Sequence, residues 1–347
     1  MIALEVRVAL LVLLSGCIVG WTRLVVGRLK LGLPRLLGVV PIFLLTWMAP
    51  GLFDARRKEE VLLYDYTVMV YLWLVNFKTF ALAFDRGSLA KNFDTSGTVV
   101  FAALVLLPVN VSGSEGKSSM GSKDLLLRAL LKGFLTVGFA YASLNFWFFP
   151  FLRDICLTWL LYSTITMIMD AFAWILVMIY DTHLMSHFDR PWLSTSLSEF
   201  WSHRWNLVVG KLLKDVIYAP ICQGSLYSLD APKDKKRMPS PLRQVLAVEA
   251  TFLASGMIHG VLIGYLTGSF GWKNMSFFVL HGILVLSERV FKDTIGKRKN
   301  VKAVMNNLPT PVCAACILGI LHVTSHYLFW PEVLGLSKQV ADSLLIG

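Results

Sequence analysis

Apolar residues run along this chain in long stretches that short charged segments interrupt. The stretches are residues 8–26, 36–53, 61–77, 98–111, 133–151, 155–180, 250–267, 271–288 and 311–330. A helix needs about 20 mostly apolar residues to cross a bilayer. The pattern therefore predicts an all-α membrane protein, a bundle of eight or nine transmembrane helices within a single domain covering residues 1–347. Residues 98–111 are short for a crossing and favour a tilted, re-entrant or interfacial piece.

Composition agrees with this pattern. The 347 residues are 56% hydrophobic and 16% charged, whereas soluble domains have about 25% charged residues. The net charge of +11 is concentrated between apolar segments, in the runs Arg56-Arg57-Lys58, Lys233-Asp234-Lys235-Lys236-Arg237 and Lys297-Arg298-Lys299. Basic loops of this kind mark the cytoplasmic side and meet anionic lipid head groups. We interpret the charge as topology and not as nucleic-acid binding, and an acidic, phosphate-bearing substrate would benefit from it.

The composition changes between residues 181 and 242, where prolines, histidines and charges become dense. This segment is predicted to be a cytoplasm-facing insertion. Within it, apolar residues at steps of three and four from Leu197 to Tyr218 predict an amphipathic helix. Ser194, Thr195 or Ser196 is suited to cap its start, and Glu199 completes a capping box with Ser196. The helix is expected to lie at the membrane surface and to direct Asn206 inward.

One histidine, His259, lies in the middle of an uncharged apolar stretch. Ionisable side chains inside a membrane tend to face a cavity or a partner. The alternative is a neutral buried histidine bonded to a neighbouring backbone or hydroxyl group. Small residues around it, Ser255, Gly256 and Gly260, permit close approach of a substrate or a helix and favour a functional role.

Four sequence elements together resemble one known family. The run from Thr195 to Asn206, TSLSEFWSHRWN, resembles the TSLxDFWxRRWN signature of plant-type wax synthases, which belong to the membrane-bound O-acyltransferase (MBOAT) superfamily. LVNFK at 74–78, SGMIH at 255–259 and FVLHG at 278–282 resemble further elements of that family, in the same order. The departures are Glu199 for aspartate, His203 for a basic residue, and Gly260 where an acidic residue is common.

The resemblance implies an MBOAT-like bundle of helices enclosing a reaction chamber, in an endoplasmic-reticulum membrane enzyme. The implied reaction moves a fatty acyl group from acyl-CoA to a long-chain alcohol and forms a wax ester, with no cofactor beyond acyl-CoA as co-substrate. His259 is the implied general base, and Asn206 its partner. A neutral imidazole can take the proton of the alcohol near neutral pH. Asn206 then either donates to the developing oxyanion or positions the coenzyme sulfur, and the sequence leaves both roles open.

Other residues receive more limited roles. Candidates to contact the acyl chain or coenzyme A are Trp201, Arg204, Trp205 and Lys211, although aromatic packing and head-group anchoring are the commoner roles of such residues. His281 and Glu288 share one helical face and are expected to help hold His259 in place. The pairs His183/His187 and His322/His326 have metal-ligand spacing but lack further ligands, so no metal site is predicted.

Several alternatives stay open. The same chemistry suits a sterol, terpenoid or diacylglycerol acceptor, or a short acyl-CoA donor. A membrane transporter is the alternative that is not an enzyme, and it would need polar residues spread through several helices. The spans near 133–180 are almost purely apolar, with Asp170 as the chief exception. The implied partners are acyl-CoA, a lipid alcohol and membrane lipids, and the sequence does not indicate an oligomeric state.

Overall fold

Helices form most of the protein that a computed structural model describes, namely residues 3–55, 57, 59–111, 121–228, 239–298 and 307–335. The α-helices in chain order are α1 (Leu4–Leu24), α2 (Leu33–Met48), α3 (Val61–Tyr66), α4 (Asn76–Ala83), α5 (Gly87–Lys91), α6 (Thr98–Leu106), α7 (Ser122–Asn145), α8 (Pro150–Tyr180), α9 (Leu197–Glu199), α10 (Leu207–Leu213), α11 (Ala219–Gln223), α12 (Pro241–Thr267), α13 (Trp272–Thr294) and α14 (Thr310–Leu328). Wider π-helical turns cover Thr67–Val75, Phe200–Arg204 and Lys214–Tyr218, and 3-10 turns cover Val26–Arg28, Ala49–Leu52 and Pro191–Leu193.

Eight helices within these ranges are long and apolar enough to cross a membrane. They are α1 and α2 with the turns that follow them, the continuous helix Val61–Ala83, and α7, α8, α12, α13 and α14. The prediction of an all-α protein with eight or nine crossings is confirmed, and the protein is an integral membrane protein. The basic run Lys233–Arg237 lies outside the described residues, as do Arg56, Lys58 and Lys299.

Two predicted helix starts were too late. α7 begins at Ser122 and not at 133, and α12 begins at Pro241 and not at 250. The first half of α7 carries charged residues, which end an apolar window when only sequence is read. Lys132 is accommodated because its Nζ lies 2.5 Å from Oδ2 of Asp170 on α8. The stretch 98–111 contains only α6, whose Phe101 and Leu104 are buried, so it is a buried short helix and not a crossing.

The chain forms two compact units, each drawn from separate stretches of sequence. Unit 1 comprises 1–108, 211–283 and 332–347, and unit 2 comprises 109–210 and 284–331. The prediction of one domain stays a prediction.

The central element of unit 1 is the helix Val61–Ala83. In its apolar window 61% of residues are buried, against 11–28% in the other seven crossing helices. Tyr71 and Leu74 lie on its wide central turns and are almost fully buried, as is Ile18 of α1. This helix therefore supplies much of the core around which unit 1 packs.

Two polar side chains of the 74–78 element hold that central helix to its neighbours. Oγ1 of Thr46 on α2 donates to Oδ1 of Asn76 at 2.9 Å. Lys78 is 3% exposed, and its Nζ donates to the carbonyls of Leu104 and Leu107 at 2.5 Å each. These carbonyls belong to the end of α6, where the last turn of a helix has no partner within the helix. Asn76 and Lys78 therefore stabilise the fold.

At the amino-terminal end of the same helix, Glu60 forms a buried ion pair. Its Oε2 lies 2.6 Å from Nη1 of Arg7 and also accepts the Asp54 N–H at 2.9 Å. The hydrogen bond from Arg7 lowers the pKa of Glu60 to about 2. The carboxylate therefore stays ionised at neutral pH and holds α1 to the start of the central helix.

Substituting Lys78 by Met keeps a long apolar stem but removes the cation that caps α6. We expect the free energy of unfolding of the variant to fall by about 1–3 kcal/mol, because buried carbonyls are left without donors. Thermal unfolding of the detergent-solubilised protein measures this loss. The exposed Lys91 at the end of α5 provides the control Lys91→Met, and equal unfolding temperatures for the two variants would refute the capping role.

Candidate active site

The segment that begins at Thr195 starts with a capping arrangement. Oγ of Ser196 accepts the N–H of Glu199 at 3.0 Å, which confirms the predicted cap. The Glu199 carboxylate accepts the backbone N–H and the hydroxyl of Thr195, both at 2.8 Å. Burial opposes ionisation of this carboxyl, but hydrogen bonds from Thr195 and Arg204 keep the pKa of Glu199 below its ordinary value. The start of the motif is therefore fixed by a charged, fully engaged side chain.

The predicted continuous helix from Leu197 to Tyr218 is wrong in one respect, because it breaks at Trp205 and Asn206. After α9 the chain widens into the π-helical turn Phe200–Arg204, and Trp205 is extended. Asn206 has φ of 42°, a left-handed conformation that Asn tolerates better than most residues. α10 then begins at Leu207. The heptad-like spacing continued through the break, so apolar periodicity alone did not detect it.

A neighbouring loop supplies backbone partners on both sides of the break. The carbonyl of His187 accepts the N–H of Leu207 at 2.7 Å, and the N–H of Asp189 donates to the carbonyl of Arg204 at 2.9 Å. The Trp205 ring stacks on Phe200 with centroids 5.3 Å apart. The residue between these contacts, Asn206, is consequently held in a defined position within unit 2.

Asn206 caps the new helix with one end of its side chain. Its Oδ1 accepts the N–H of Val209 at 3.4 Å, and its own carbonyl accepts the N–H of Gly210 at 2.8 Å. No described residue accepts a hydrogen bond from its Nδ2. An Asn at the N-cap normally uses its oxygen in this way, so the amide nitrogen is the end that can donate to a ligand.

His259 lies on α12 in unit 1, and its own helix orients it. Its Nδ1 is 2.8 Å from the carbonyl oxygen of Ser255, one turn earlier. A carbonyl can only accept, so Nδ1 carries the proton, and in the neutral ring Nε2 carries the basic lone pair. The ring lies against Phe278 of α13, with centroids 4.2 Å apart. The side chain therefore has the tautomer that a general base at Nε2 requires.

Two glycines next to His259 allow α12 to pack closely against its neighbours. A Cβ on Gly256 would lie 2.8 Å from the carbonyl oxygen of Met275, and one on Gly260 would lie 2.4 Å from the Phe270 ring. The first contact is with backbone and leaves no room for a larger residue, and the second would require the Phe270 ring to move. The predicted role of these small residues in close approach is confirmed for a neighbouring segment, and the helix that carries His259 is thereby fixed against α13.

The other predicted residues have varied surroundings. The guanidinium of Arg204 pairs with Glu199 at 2.6 Å and donates to the carbonyl of Asp189 at 3.1 Å, so it holds the motif to the loop. Trp201, Trp205 and Lys211 are half-buried. Their proposed contacts with substrate stay predictions.

His281 and Glu288 both lie on α13, but in different units. His281 is fully buried and its ring is 4.5 Å from that of Phe277. The Glu288 carboxylate accepts the N–H of Ser198 at 3.2 Å and pairs with Lys292. Glu288 therefore contacts the start of the 195–206 motif, a contact that its spacing from His281 did not predict.

A second oriented imidazole, missed by sequence reasoning, lies in unit 2. Nδ1 of His326 on α14 is 2.6 Å from Oδ2 of Asp154, a fully buried carboxylate that Arg153 also contacts at 2.9 Å. His326 stacks on Phe151 with centroids 4.0 Å apart. Its i,i+4 spacing from His322 had suggested only a metal pair. Among the described residues there is no cluster of three His, Cys, Asp or Glu side chains suited to a metal ion.

Comparison with known proteins covers both candidate residues. A model of the membrane bound O-acyl transferase family matches residues 184–280. The chain is 27% identical over 335 residues to acyl-CoA--sterol O-acyltransferase 1 of Arabidopsis thaliana, covering 93% of this chain and 88% of the relative. It is 28% identical over 322 residues to long-chain-alcohol O-fatty-acyltransferase of Simmondsia chinensis, covering 87% and 82%.

The matched region contains the interrupted helix with Asn206 and the stretch of α12 with His259. The similarity to whole acyltransferases extends over most of the chain, and the eight crossing helices agree with a membrane enzyme. The chain is an acyltransferase, and it is similar over most of its length to the plant-type wax synthases, the long-chain-alcohol O-fatty-acyltransferases, with a membrane bound O-acyl transferase match at residues 184–280.

Proposed function

We propose that this enzyme transfers a fatty acyl group from acyl-CoA to a long-chain alcohol and releases a wax ester and free coenzyme A. The observation that carries the proposal is the His259 ring, whose Nδ1 is held by the Ser255 carbonyl at 2.8 Å so that Nε2 is the basic nitrogen. The relative from Simmondsia chinensis, a long-chain-alcohol O-fatty-acyltransferase, supports the acceptor. We propose that the enzyme lies in the endoplasmic reticulum membrane, as the resemblance to wax synthases implies.

In the proposed step, Nε2 of His259 takes the hydroxyl proton while the alcohol oxygen attacks the thioester carbonyl carbon. A carbon–oxygen bond forms, and the carbonyl oxygen gains negative charge. The carbon–sulfur bond then breaks, and the imidazolium returns its proton to the coenzyme thiolate. The reaction needs no covalent acyl-enzyme, because the alcohol attacks the thioester directly.

Asn206 is the proposed donor to the developing oxyanion. Its Oδ1 is engaged by the Val209 N–H at 3.4 Å, which leaves the Nδ2 group as the end of the amide that can donate to a substrate. An N–H donor suits an oxyanion better than it suits a thioether-like sulfur, which is a weak acceptor. Of the two roles that the sequence left open, we therefore favour oxyanion stabilisation on the chemistry of the amide donor. That Asn206 and His259 act in one reaction is part of this proposal and rests on the family motifs.

A sterol acceptor is the second candidate. The relative from Arabidopsis thaliana that is an acyl-CoA--sterol O-acyltransferase is 27% identical over 93% of this chain, about as similar as the long-chain-alcohol relative. Both acceptors present one hydroxyl group to the base, so the catalytic residues do not separate them.

His259→Ala should abolish ester formation, because general-base catalysis contributes roughly 100- to 10,000-fold. The assay measures labelled ester from oleoyl-CoA and a fatty alcohol in purified protein, with expression and thermal unfolding checked alongside. His326→Asn is the matched control, since it alters the second oriented imidazole, which Asp154 and not a backbone carbonyl holds. Loss of activity in His326→Asn together with an active His259→Ala would show that His259 is not the base and would move that role to His326.

Asn206→Asp should reduce kcat by roughly 100- to 1,000-fold, the usual effect of losing one oxyanion donor. Aspartate keeps an oxygen to cap α10 and tolerates the positive φ, so thermal stability should stay near that of the wild type. Asn206→Gly is the control for backbone strain, because glycine adopts φ of 42° without cost. Both variants should be equally slow, and a fully active Asn206→Asp would rule out the amide as the donor.

The acceptor is tested by offering the wild-type enzyme equimolar fatty alcohols, sterols, terpenoid alcohols and diacylglycerol with labelled oleoyl-CoA. We expect the highest kcat/KM with a long-chain fatty alcohol. Product identification by mass spectrometry separates the esters. A higher kcat/KM with a sterol would replace the first candidate by the second and leave the assigned chemistry intact.

A further inference from the structure

The hairpin of α7 and α8 carries a group of charges inside two crossing helices. Nζ of Lys132 lies 2.5 Å from Oδ2 of Asp170, and Nε of Arg128 lies 3.5 Å from the same oxygen. The Lys132 and Asp170 side chains are 14% and 16% exposed. Charges at such positions are costly, and in membrane proteins they usually mark a functional site. Asp170 alone had no explanation in the sequence, and its partners now define a cluster.

This charged cluster lines a small cavity within unit 2. The cavity has a volume of about 60 Å³, and Tyr162, Thr166 and the segment 184–188 also line it. One water needs about 10–15 Å³ of such space. The cavity can therefore hold several waters or a single tetrahedral anionic group, but it cannot hold an acyl chain or a whole coenzyme.

The wall of this cavity is joined directly to the interrupted motif helix. The carbonyl of His187 accepts the N–H of Leu207 at 2.7 Å. The Phe188 ring packs against Tyr162 on one side, with centroids 5.0 Å apart, and against Trp205 on the other, at 4.9 Å. A ligand group in the cavity would therefore lie beside the loop that fixes Asn206.

The charged groups of the lining favour an anion. They are two cationic side chains, Arg128 and Lys132, and one carboxylate, Asp170. Both cations lie beside the one carboxylate, so the cluster carries one positive charge in excess. An ammonium group has three N–H donors, and Asp170 accepts one of those of Lys132. The hydroxyl of Tyr162 adds a neutral group of the kind that binds phosphate oxygens alongside Lys and Arg, whereas the Thr166 hydroxyl already donates to the Tyr162 carbonyl at 2.8 Å.

We infer that the α7–α8 cavity binds a phosphate group, with Lys132 and Arg128 as its main contacts. The phosphate belongs either to the acyl-CoA donor, in which case the inference rests on the proposed function, or to a phospholipid head group. In the first case the cavity anchors the coenzyme beside the Asn206 loop. In the second it anchors a lipid at the same place.

The test uses the double variant Lys132→Gln/Asp170→Asn, which replaces the close ion pair by a neutral pair and leaves Arg128 as the remaining charge of the cluster. The control is Lys123→Gln, an exposed position on α7 outside the cavity. The two donors are oleoyl-CoA and S-oleoyl pantetheine, which lacks phosphate. Lipid binding is measured as retention of phosphatidic acid by native mass spectrometry.

If the cavity binds the coenzyme, the double variant raises KM for oleoyl-CoA by roughly 10- to 100-fold, the usual effect of losing a charge-assisted contact, with kcat unchanged. KM for S-oleoyl pantetheine then stays at the wild-type value. If the cavity binds lipid, both KM values stay the same and retention of phosphatidic acid is lost. Unchanged KM values together with unchanged lipid retention would overturn the inference.

Failure of the proposed function would be seen separately. If the wild-type protein formed no ester, equilibrium binding of labelled coenzyme A and of phosphatidic acid to wild type and double variant would still report on the cavity. Equal binding of both probes to the two proteins would then reject the phosphate site. If the double variant fails to fold, Arg128→Gln offers the same readouts with the Lys132 and Asp170 pair kept.

Discussion

The local structure around Asn206 depends on how the chain satisfies its backbone where a helix breaks in an apolar protein. Backbone groups that lack a partner in such surroundings are costly, so a break is stable only where other protein groups replace the lost hydrogen bonds. Here the His187 carbonyl takes the Leu207 N–H, and Asn206 takes the next turn's N–H groups with its side chain and carbonyl. Asn206 thus stabilises the break, and the break in turn fixes the position of the Asn206 side chain. The loop at 187–189 is therefore as important for the motif as the motif's own residues.

The number and type of the long helices could be predicted from the sequence, because apolar length is the main requirement for a membrane crossing. The residues at which these helices begin were harder to predict. The predicted start of α7 fell after Lys132, because a charged residue normally ends an apolar span. Lys132 is tolerated within the helix because it pairs with Asp170 of α8. The short helix α6 shows the reverse problem. It is as apolar as a crossing but is packed inside unit 1, and no local pattern distinguishes lipid from protein surroundings.

The residues of the candidate site could be predicted only where they belong to the family motifs. Those motifs contain residues that stabilise the fold as well as candidates for catalysis, as the 74–78 element shows. Asn76 and Lys78 of this element bond to Thr46 and to the end of α6. Arg204 holds a loop through Glu199 and Asp189. The pairing of Asp154 with His326 could not be foreseen, because the two residues are far apart in sequence and belong to no shared pattern. A motif predicts that a residue matters, and its contacts are needed to say why.

The way in which His259 is oriented has a consequence for how this enzyme can evolve. In many enzymes a carboxylate holds the catalytic imidazole, and that carboxylate is itself a side chain that mutation can remove. Here the acceptor is the main-chain carbonyl of Ser255, present whatever residue occupies that position. The tautomer is thus inherited from helical geometry. A substitution at position 255 that keeps the helix therefore keeps this acceptor, so the orientation of the proposed base does not depend on which side chain stands there.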